Sequence, residues 1–167
     1  MELYYHSFYT AAGWIAVLSA GKGPVKNTLP QSSEEKALVL LGISKLDALL
    51  SPDRFEKLER QFNDYFKGYN VYFSDELDLS KATPFQLEVW QTARLIPYGE
   101  TRSYLWVANK IGKPRASRAV GQALGRNPLP IIIPCHRVIG DNGKPVGYSG
   151  GLEVKLKLLG IEGINLY

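Results

Sequence analysis

Three prolines and three consecutive isoleucines lie within residues 128–134, and this segment restricts the fold more than any other part of the sequence. Proline fixes its own backbone and keeps the preceding residue out of the helical region, so the segment is predicted to be extended. The isoleucines between the prolines predict burial. The segment leads directly to Cys135 and His136, the only cysteine and one of the two histidines of the chain. The rest of the protein therefore has to enclose an extended apolar segment that ends in a thiol.

The adjacent thiol and imidazole have two interpretations. Most lone buried cysteines are structural, but a cysteine near a histidine is also the pattern of a catalytic nucleophile. Neighbours in an extended chain point to opposite faces, so Cys135 and His136 are not expected to touch directly. Cooperation between them requires either a water molecule or a turn of the chain.

The composition is that of an ordinary folded protein. The chain has 167 residues, 45% of them hydrophobic and 22% charged, which is enough to form a core without cross-links. One cysteine excludes an internal disulfide framework and, with two histidines, argues against structural zinc, so we expect no metal. No apolar run approaches the roughly 20 residues of a membrane span, and no signal-peptide pattern is present. We therefore expect a soluble, cytoplasmic protein.

The charge is distributed unevenly between the two halves. Residues 1–80 carry 8 Lys or Arg against 11 Asp or Glu, a net charge of −3, whereas residues 81–167 carry 12 against 5, a net of +7. Between Thr101 and Gly140 there are seven basic residues and no acidic one. A solvated basic face would explain part of this pattern. Confinement to one half is better explained by a polyanionic partner, with nucleic acid as the first candidate.

The first half of the sequence combines strand and helix patterns. A capping-box spacing at Ser32–Glu35 predicts the start of a short helix. Apolar residues at helical spacing predict a longer helix after Ser51-Pro52, and the charged segment Asp75–Lys81 is predicted to be a linker. Runs of aromatic and β-branched residues predict strands at Leu3–Thr10, Trp14–Ala20, Val25–Leu29 and, more briefly, near Val71–Phe73.

Capping residues and apolar spacing predict helices in the second half of the sequence. The sequence Thr83-Pro84-Phe85-Gln86 combines an N-cap, a first-turn proline and a glutamine three residues after the cap. A second helix is capped by Thr101 or Ser103, and a third covers Arg115–Leu124. The residues predicted to face inward are Leu105, Ala108 and Ile111 in the second helix and Ala116, Val120 and Ala123 in the third.

The short connection Gly112-Lys113-Pro114 between the last two helices predicts a helix-turn-helix. Lys113, Arg115 and Arg118 lie on the turn and on the early part of the following helix. Helices that read DNA present their N-terminal residues to the duplex, so this placement suits a DNA-binding surface.

Several segments of this half closely resemble one family, the O6-alkylguanine-DNA alkyltransferases. The most specific is Pro134-Cys135-His136-Arg137-Val138, with Asn127-Pro128 before it and Tyr148-Ser149-Gly150-Gly151-Leu152 after it. Thr83-Pro84-Phe85-Gln86, Ile96-Pro97-Tyr98-Gly99-Glu100-Thr101 and Arg118-Ala119-Val120-Gly121 are similar to the same family. The resemblance runs through about residues 80–163 and is loose before them.

The resemblance implies an α/β (α+β) fold of two domains. Residues 1–78 would form a structural domain with a small three-stranded antiparallel sheet and helices, of the ribonuclease H-like kind. Residues 79–167 would form a mainly helical, winged-helix or helix-turn-helix domain that binds DNA and carries the cysteine.

The resemblance also implies an activity, the direct reversal of DNA damage. Such a protein flips O6-alkylguanine out of duplex DNA and moves the alkyl group irreversibly to its own Cys135, so that each molecule of this methyltransferase acts once. O4-alkylthymine is a second candidate substrate. The implied partner is double-stranded DNA, bound through the minor groove by a monomer without a cofactor.

The catalytic residues implied by the resemblance are Cys135, His136, Glu162, Asn127 and Tyr104. His136 would take the thiol proton through a water while Glu162 orients the imidazole. Asn127 would brace the active-site turn, and Tyr104 would help to turn out the nucleotide and protonate the leaving guanine. The residues alone favour an exposed C-terminal side chain for Glu162, and they are also compatible with a turn residue at Asn127 and a packed aromatic at Tyr104.

The resemblance assigns the remaining site residues to DNA and to the base. Arg118 would enter the gap left by the flipped base, although a phosphate contact fits its charge equally well. The implied DNA-binding residues are Arg118, Tyr104, Ser103, Lys113, Arg115 and Ser117. The implied base-pocket residues are Pro130, Val138, Tyr148 and Ser149.

Two other functions compete with alkyl transfer. A transcriptional regulator would use the helix-turn-helix on a defined operator and make Cys135 incidental. A Cys-His hydrolase would turn over and would need an oxyanion hole, for which the sequence has no marker. The resemblance favours alkyl transfer over both.

Overall fold

The computed structural model of the protein describes residues 2–148 and 150–166. It divides into two compact units, the first ending at Ser80 and the second beginning at Lys81. Helices and strands are both present, which confirms the predicted α/β (α+β) class. In the described part of the chain, no helix has the length and apolar character that crossing a membrane would need.

The first unit is built on one mixed sheet with the strand order β3-β2-β1-β4. The three strands β1, β2 and β3 pair antiparallel, as predicted, whereas β4 pairs parallel with β1. This fourth strand was not predicted, because its three residues are too few to form a recognisable pattern. The elements of this unit are β1 (Leu3–Thr10), β2 (Gly13–Ala20), β3 (Gly23–Asn27), α1 (Glu34–Leu41), β4 (Ala48–Leu50) and α2 (Glu56–Phe66).

Both helices of the first unit cover the sheet with apolar side chains. The Ser33 hydroxyl caps α1 by accepting the backbone N–H of Lys36, and the helix buries Ala37 and Leu41 in a cluster with residues of β2. In α2 the ring of Phe62 is 5.9 Å from that of Phe8 and 5.0 Å from that of Phe73. The predicted helices are therefore confirmed, although Ser33 caps α1 without a reciprocal glutamate.

Three predictions in the first unit are corrected. The third strand runs over Gly23–Asn27 rather than Val25–Leu29, because Gly23 and Pro24 already pair with β2 and the Thr28 hydroxyl, instead of a backbone carbonyl, accepts the Ala16 N–H. No strand forms near Val71–Phe73, where Phe73 is buried by ring packing rather than by strand pairing. The segment predicted as a linker packs on this unit, since the Asp78 N–H donates to the Pro24 carbonyl.

The second unit is mainly helical. Thr83 and Gln86 form the predicted capping box of α3, and the Ser103 hydroxyl caps α4 by accepting the Trp106 N–H at 2.9 Å. The indole of Trp90 ties α3 to α5 by donating to the Ala123 carbonyl at 2.9 Å. The elements of this unit are α3 (Pro84–Ala93), β5 (Arg102–Ser103), α4 (Tyr104–Lys110), α5 (Ser117–Gly125), β6 (Val138–Ile139) and α6 (Leu152–Ile161).

The helix pair α4 and α5 differs from the prediction in two details. Helix α5 begins at Ser117, so the connection is the six residues 111–116 rather than three. Leu105 is 40% exposed instead of inward, because it lies in the first turn of α4, where its N–H is capped by Asp141. Of the other residues predicted to face inward, Ala108, Val120 and Ala123 are buried. Ile111 and Ala116 are half-buried.

A two-residue parallel pairing positions the thiol segment. Arg102 pairs with Val138 and Ser103 with Ile139, so β6 lies beside the start of α4. Cys135 is only three residues before β6, and Tyr104 is the first residue of α4. The pairing therefore fixes the cysteine turn close to the beginning of the helix-turn-helix.

Candidate active site

Cys135 opens a single 3-10 turn, Cys135–Arg137, at the end of the isoleucine segment. The turn buries Cys135 to 4% exposure and His136 completely. The prediction that these two residues continue the extended chain is therefore wrong. They form a turn, which is one of the two ways in which the thiol and the imidazole could cooperate. Ile131 has a φ of +76°, which is strained for a β-branched side chain and persists only when its surroundings enforce it.

Asn127 braces this segment with its whole amide group. Its Nδ2 donates to the Ile133 carbonyl at 2.8 Å and to the Cys135 Sγ at 3.1 Å, while its Oδ1 accepts the Leu129 N–H at 2.8 Å. The sequence between Asn127 and Cys135 is thus held at three points by one side chain.

Behind the thiol, a buried ion network links His136, Glu162 and Arg137. The His136 Nε2 and the Glu162 Oε2 are 2.5 Å apart, and both side chains are fully buried. Arg137 donates to both oxygens of Glu162, at 2.8 and 3.2 Å, and to the Ile96 carbonyl at 2.9 Å. The Gly99 N–H also donates a hydrogen bond to the Oε1 of Glu162, at 3.1 Å. Glu162 is therefore buried between His136 and Arg137 and is not an exposed C-terminal side chain.

The charges of this network follow from its geometry. Burial alone would raise the pKa of Glu162, but its hydrogen bonds and the charges of His136 and Arg137 hold that pKa at about 2. Burial lowers the pKa of His136 against the opposing effect of Glu162. Arg137 already neutralises the carboxylate, so at neutral pH the imidazole is uncharged. An ionised Glu162 requires the proton of the neutral imidazole to lie on Nε2, which leaves Nδ1 as the basic nitrogen.

The thiol itself is protonated at neutral pH. Burial raises the pKa of Cys135, while hydrogen bonds from Asn127 and Tyr148 and the charge of Lys155 lower it in part. A reaction at sulfur needs the thiolate, so this site requires a proton acceptor to act.

A cleft of about 330 Å³ opens onto Cys135. Four of the predicted site residues besides the cysteine line it, from α4, from α5 and from the loop before α6. The lining consists of Tyr104, Ser117, Arg118, Gly121, Leu124, Gly125, Cys135, Val146, Gly147 and Tyr148. Arg118 is exposed, whereas Cys135 is buried, so the cleft leads from the exposed side chain of α5 to the thiol.

Other predicted site residues lie away from the cleft lining. Val138 is fully buried, and Pro130 is half-buried in a bridge with Ile133. Lys113 and Arg115 are exposed on the connection before α5, and Lys113 pairs with Glu88 at 3.1 Å. The hydroxyl of Ser103 is engaged as a helix cap. Ser149, predicted to line the base pocket, lies outside the described residues.

Two residues of the site were not singled out from the sequence. Arg137 was named only as part of the cysteine motif, yet its guanidinium group forms an ion pair with Glu162. Lys155 is fully buried in α6 next to the cleft. Its spacing of three and four residues from the buried Leu158 and Leu159 could have revealed it, since it places a charged residue on the apolar face of a helix. In the described ranges, no group of His, Cys, Asp and Glu is arranged to hold a metal ion.

The helix pair α4 and α5, with an enclosed cysteine beside it, defines the second unit as a helix-turn-helix protein built around one thiol. Comparison with known proteins identifies a family within this class. Residues 84–164 match the family model described as 6-O-methylguanine DNA methyltransferase, DNA binding domain.

Relatives extend the match to most of the chain. The methylated-DNA–protein-cysteine methyltransferase of Mycobacterium leprae is 47% identical over 133 residues, which cover 74% of this chain and 80% of the relative. That of Methanosarcina acetivorans is 40% identical over 156 residues, covering 90% and 98%. The crystal structure of Mycobacterium tuberculosis OGT in complex with DNA superposes with a TM-score of 0.80 at 40% identity, covering 95% and 92%. The chain belongs to the methylated-DNA–protein-cysteine methyltransferase family.

Proposed function

We propose that the protein repairs DNA by transferring the alkyl group of O6-alkylguanine to its own Cys135. The observation that carries the proposal is the cleft in which Cys135 lies together with Tyr104 and Arg118, on a helix-turn-helix unit of net positive charge. The names of the relatives indicate that the transferred group is a methyl group and that its acceptor is a cysteine. A thioether is stable in water, so each molecule acts once.

The transfer is a displacement at saturated carbon. The Sγ of Cys135 attacks the alkyl carbon, a C–S bond forms as the C–O6 bond breaks, and the electron pair of that bond goes to the guanine. The thiol proton passes through a water to the Nδ1 of His136, whose Nε2 proton is held by Glu162. The hydroxyl of Tyr104 protonates the leaving guanine. Asn127 donates to the sulfur at 3.1 Å, which supports the thiolate as it forms.

The DNA is bound as a duplex and the damaged base is flipped out. A stacked base cannot reach a thiol that is 4% exposed, so the nucleotide has to leave the helix before reaction. Arg118 fills the vacated space, and Ser117 and Tyr104 guide the base into the cleft. Lys113, Arg115 and the region of Ser103 contact phosphates from the minor-groove side, with affinity that falls steeply as salt rises.

The remaining features complete the proposal. The first unit is a structural domain, and the second binds DNA and accepts the alkyl group, with Pro130, Val138 and Ser149 around the base. The protein acts as a monomer, since every residue assigned to the reaction belongs to one chain. The acceptor has to remain a free thiol, so we place the protein in the cytoplasm, where thiols are kept reduced. O4-alkylthymine is a second substrate of the same cleft.

Intact-mass analysis tests this function. We expect the protein, mixed with duplex DNA that carries one O6-methylguanine, to gain the mass of one methylene group and to stop there. Peptide mapping should place the gain on Cys135. Undamaged duplex of the same sequence is the control. Lesion binding without any mass gain would replace repair by lesion sensing, and neither binding nor gain would favour the transcriptional regulator.

Replacing Arg118 by alanine should slow methyl transfer from duplex DNA by about tenfold or more, equivalent to at least about 1.4 kcal/mol. The reaction with free O6-benzylguanine should be unchanged, because a free base has no stack to leave. Single-turnover rates with both substrates make the comparison.

Arg115→Ala is the matched control for Arg118→Ala. Arg115 is exposed three residues earlier and does not line the cleft. Its loss should weaken DNA binding and reduce the salt slope by about 1, as for one phosphate contact, without slowing transfer from bound DNA. The same behaviour in Arg118→Ala would reduce Arg118 to a phosphate contact.

A further inference from the structure

Lys155 is a fully buried cation for which the proposed chemistry has no role. Its Nζ donates to the carbonyls of Val138 at 2.7 Å, Val146 at 2.8 Å and Gly147 at 3.5 Å. Val138 is the first residue of β6 and directly follows the cysteine turn, whereas Val146 and Gly147 belong to the loop that lines the cleft. One ammonium group therefore connects the chain that carries the thiol to the opposite wall of the cleft.

Packing alone does not explain a lysine at this position. Helix α6 buries Leu158 and Leu159 on the same face, and an apolar residue at position 155 would extend that face without removing a charge from water. Burial of an ammonium group is unfavourable unless it is fully hydrogen-bonded. The three carbonyl acceptors offset that cost. The fold therefore provides specific hydrogen-bond partners for this ammonium group rather than merely tolerating its burial.

The Val146 carbonyl has a second donor. The Tyr104 hydroxyl donates to the same oxygen at 3.1 Å, and the Lys155 Nζ lies 5.8 Å from the centre of the Tyr104 ring. Before a base enters, the proton of Tyr104 is thus directed at Val146 and not at the base position. When the hydroxyl turns to the base, the Val146 oxygen keeps Lys155 as a donor and is not left unsatisfied.

We propose that Lys155 is a positioning residue for the transfer, which holds the Val146–Gly147 wall against β6 and frees the Tyr104 hydroxyl for the base. This inference rests on the proposed function. It requires the charged form, because an ammonium group has three N–H donors for three carbonyls, whereas a neutral amine has two.

The surroundings of Lys155 make this protonation dependent on pH. Burial lowers its pKa to about 8, against the opposing effect of Cys135. The titratable groups that the described structure places around it are Tyr104 from α4 and Cys135 and His136 from the cysteine turn. Burial raises the pKa of Tyr104 and of Cys135, and His136 is neutral near pH 8. Lys155 is therefore the group expected to change its charge first as pH rises.

The test compares wild type with Lys155→Met, which keeps the length of the side chain and removes its charge and donors. Single-turnover rates are measured from about pH 6 to about pH 10 with O6-methylguanine duplex and with free O6-benzylguanine. We expect Lys155→Met to be about tenfold slower or more with both substrates near neutral pH, with duplex affinity unchanged. The wild-type-to-variant rate ratio should fall as pH rises through about 8, because wild type then loses its third donor.

The controls separate positioning from packing. Lys157→Met removes an exposed lysine from the same helix, whose only close partner among the described residues is Glu153 at 3.9 Å, and should match wild type. Lys155→Gln keeps two N–H donors, should be intermediate in rate, and replaces Lys155→Met as the test if the latter does not fold. Equal rates for wild type and both Lys155 variants, or a slow rate whose ratio to wild type does not change with pH, would overturn the inference. Failure of wild type to accept a methyl group would instead overturn the proposed function.

Discussion

Cys135→Ala should lose alkyl transfer completely while binding lesion-containing duplex DNA within about twofold of wild type. The chain has no other cysteine, so no second thiol can take over the reaction. The Cys135 Sγ accepts a hydrogen bond from Asn127, and its removal leaves the exposed Arg118 and Arg115 of the proposed DNA-binding surface in place. Intact-mass analysis measures the transfer, and titration with labelled lesion duplex measures the binding.

Cys135→Ser is the matched variant, because it keeps a polar atom that can accept from Asn127. A serine hydroxyl ionises far less readily than a thiol, so we expect no transfer here either. A mass gain in either variant would show that Cys135 is not the acceptor. Loss of lesion binding in both would mean that the cysteine supports the shape of the cleft as well as the chemistry.

Local signals in the sequence predicted the helix starts well. The capping box of Thr83 and Gln86 spans only four residues, and Ser103 caps the helix that it immediately precedes. Such contacts form between near neighbours, so their residue types are sufficient to predict them. Strands β1 and β2 were predictable for the same reason, since a tight turn joins them, whereas the bounds of β3 were not.

Contacts between distant segments were not predictable from patterns. Glu162 meets His136 across 26 residues of chain, and only the family resemblance distinguished it from an exposed side chain. The left-handed backbone of Ile131 contradicts the preference of its residue type, and it arises because Asn127 and the surrounding core impose the bend. The buried Lys155 depends on carbonyls of a loop whose course no periodic pattern describes.

Glu162→Gln should lower the free energy of unfolding at neutral pH by about 3–5 kcal/mol, as expected when one partner of a buried ion pair is removed. Glutamine keeps the size of the side chain, but it leaves Arg137, with its side chain 9% exposed, without a carboxylate. It also removes the charge that orients His136. Denaturant unfolding measures the change. Glu153→Gln, at an exposed end of α6, is the control and should stay within about 0.5 kcal/mol of wild type.

Acid titration of stability distinguishes this network from ordinary packing. The pKa of Glu162 in the folded protein is about 2, below its ordinary value of 4.5. The unfolded chain therefore binds the proton first, and stability on the order of 3 kcal/mol, present above about pH 4.5, is lost as pH falls towards about 2. Because burial also lowers the pKa of His136 below 6.5, wild type should begin to lose stability below about pH 6.5. Glu162→Gln should lack the step below pH 4.5, and Glu153→Gln should keep it. An unchanged acid profile in Glu162→Gln would mean that the carboxylate adds nothing to the folded state through its charge.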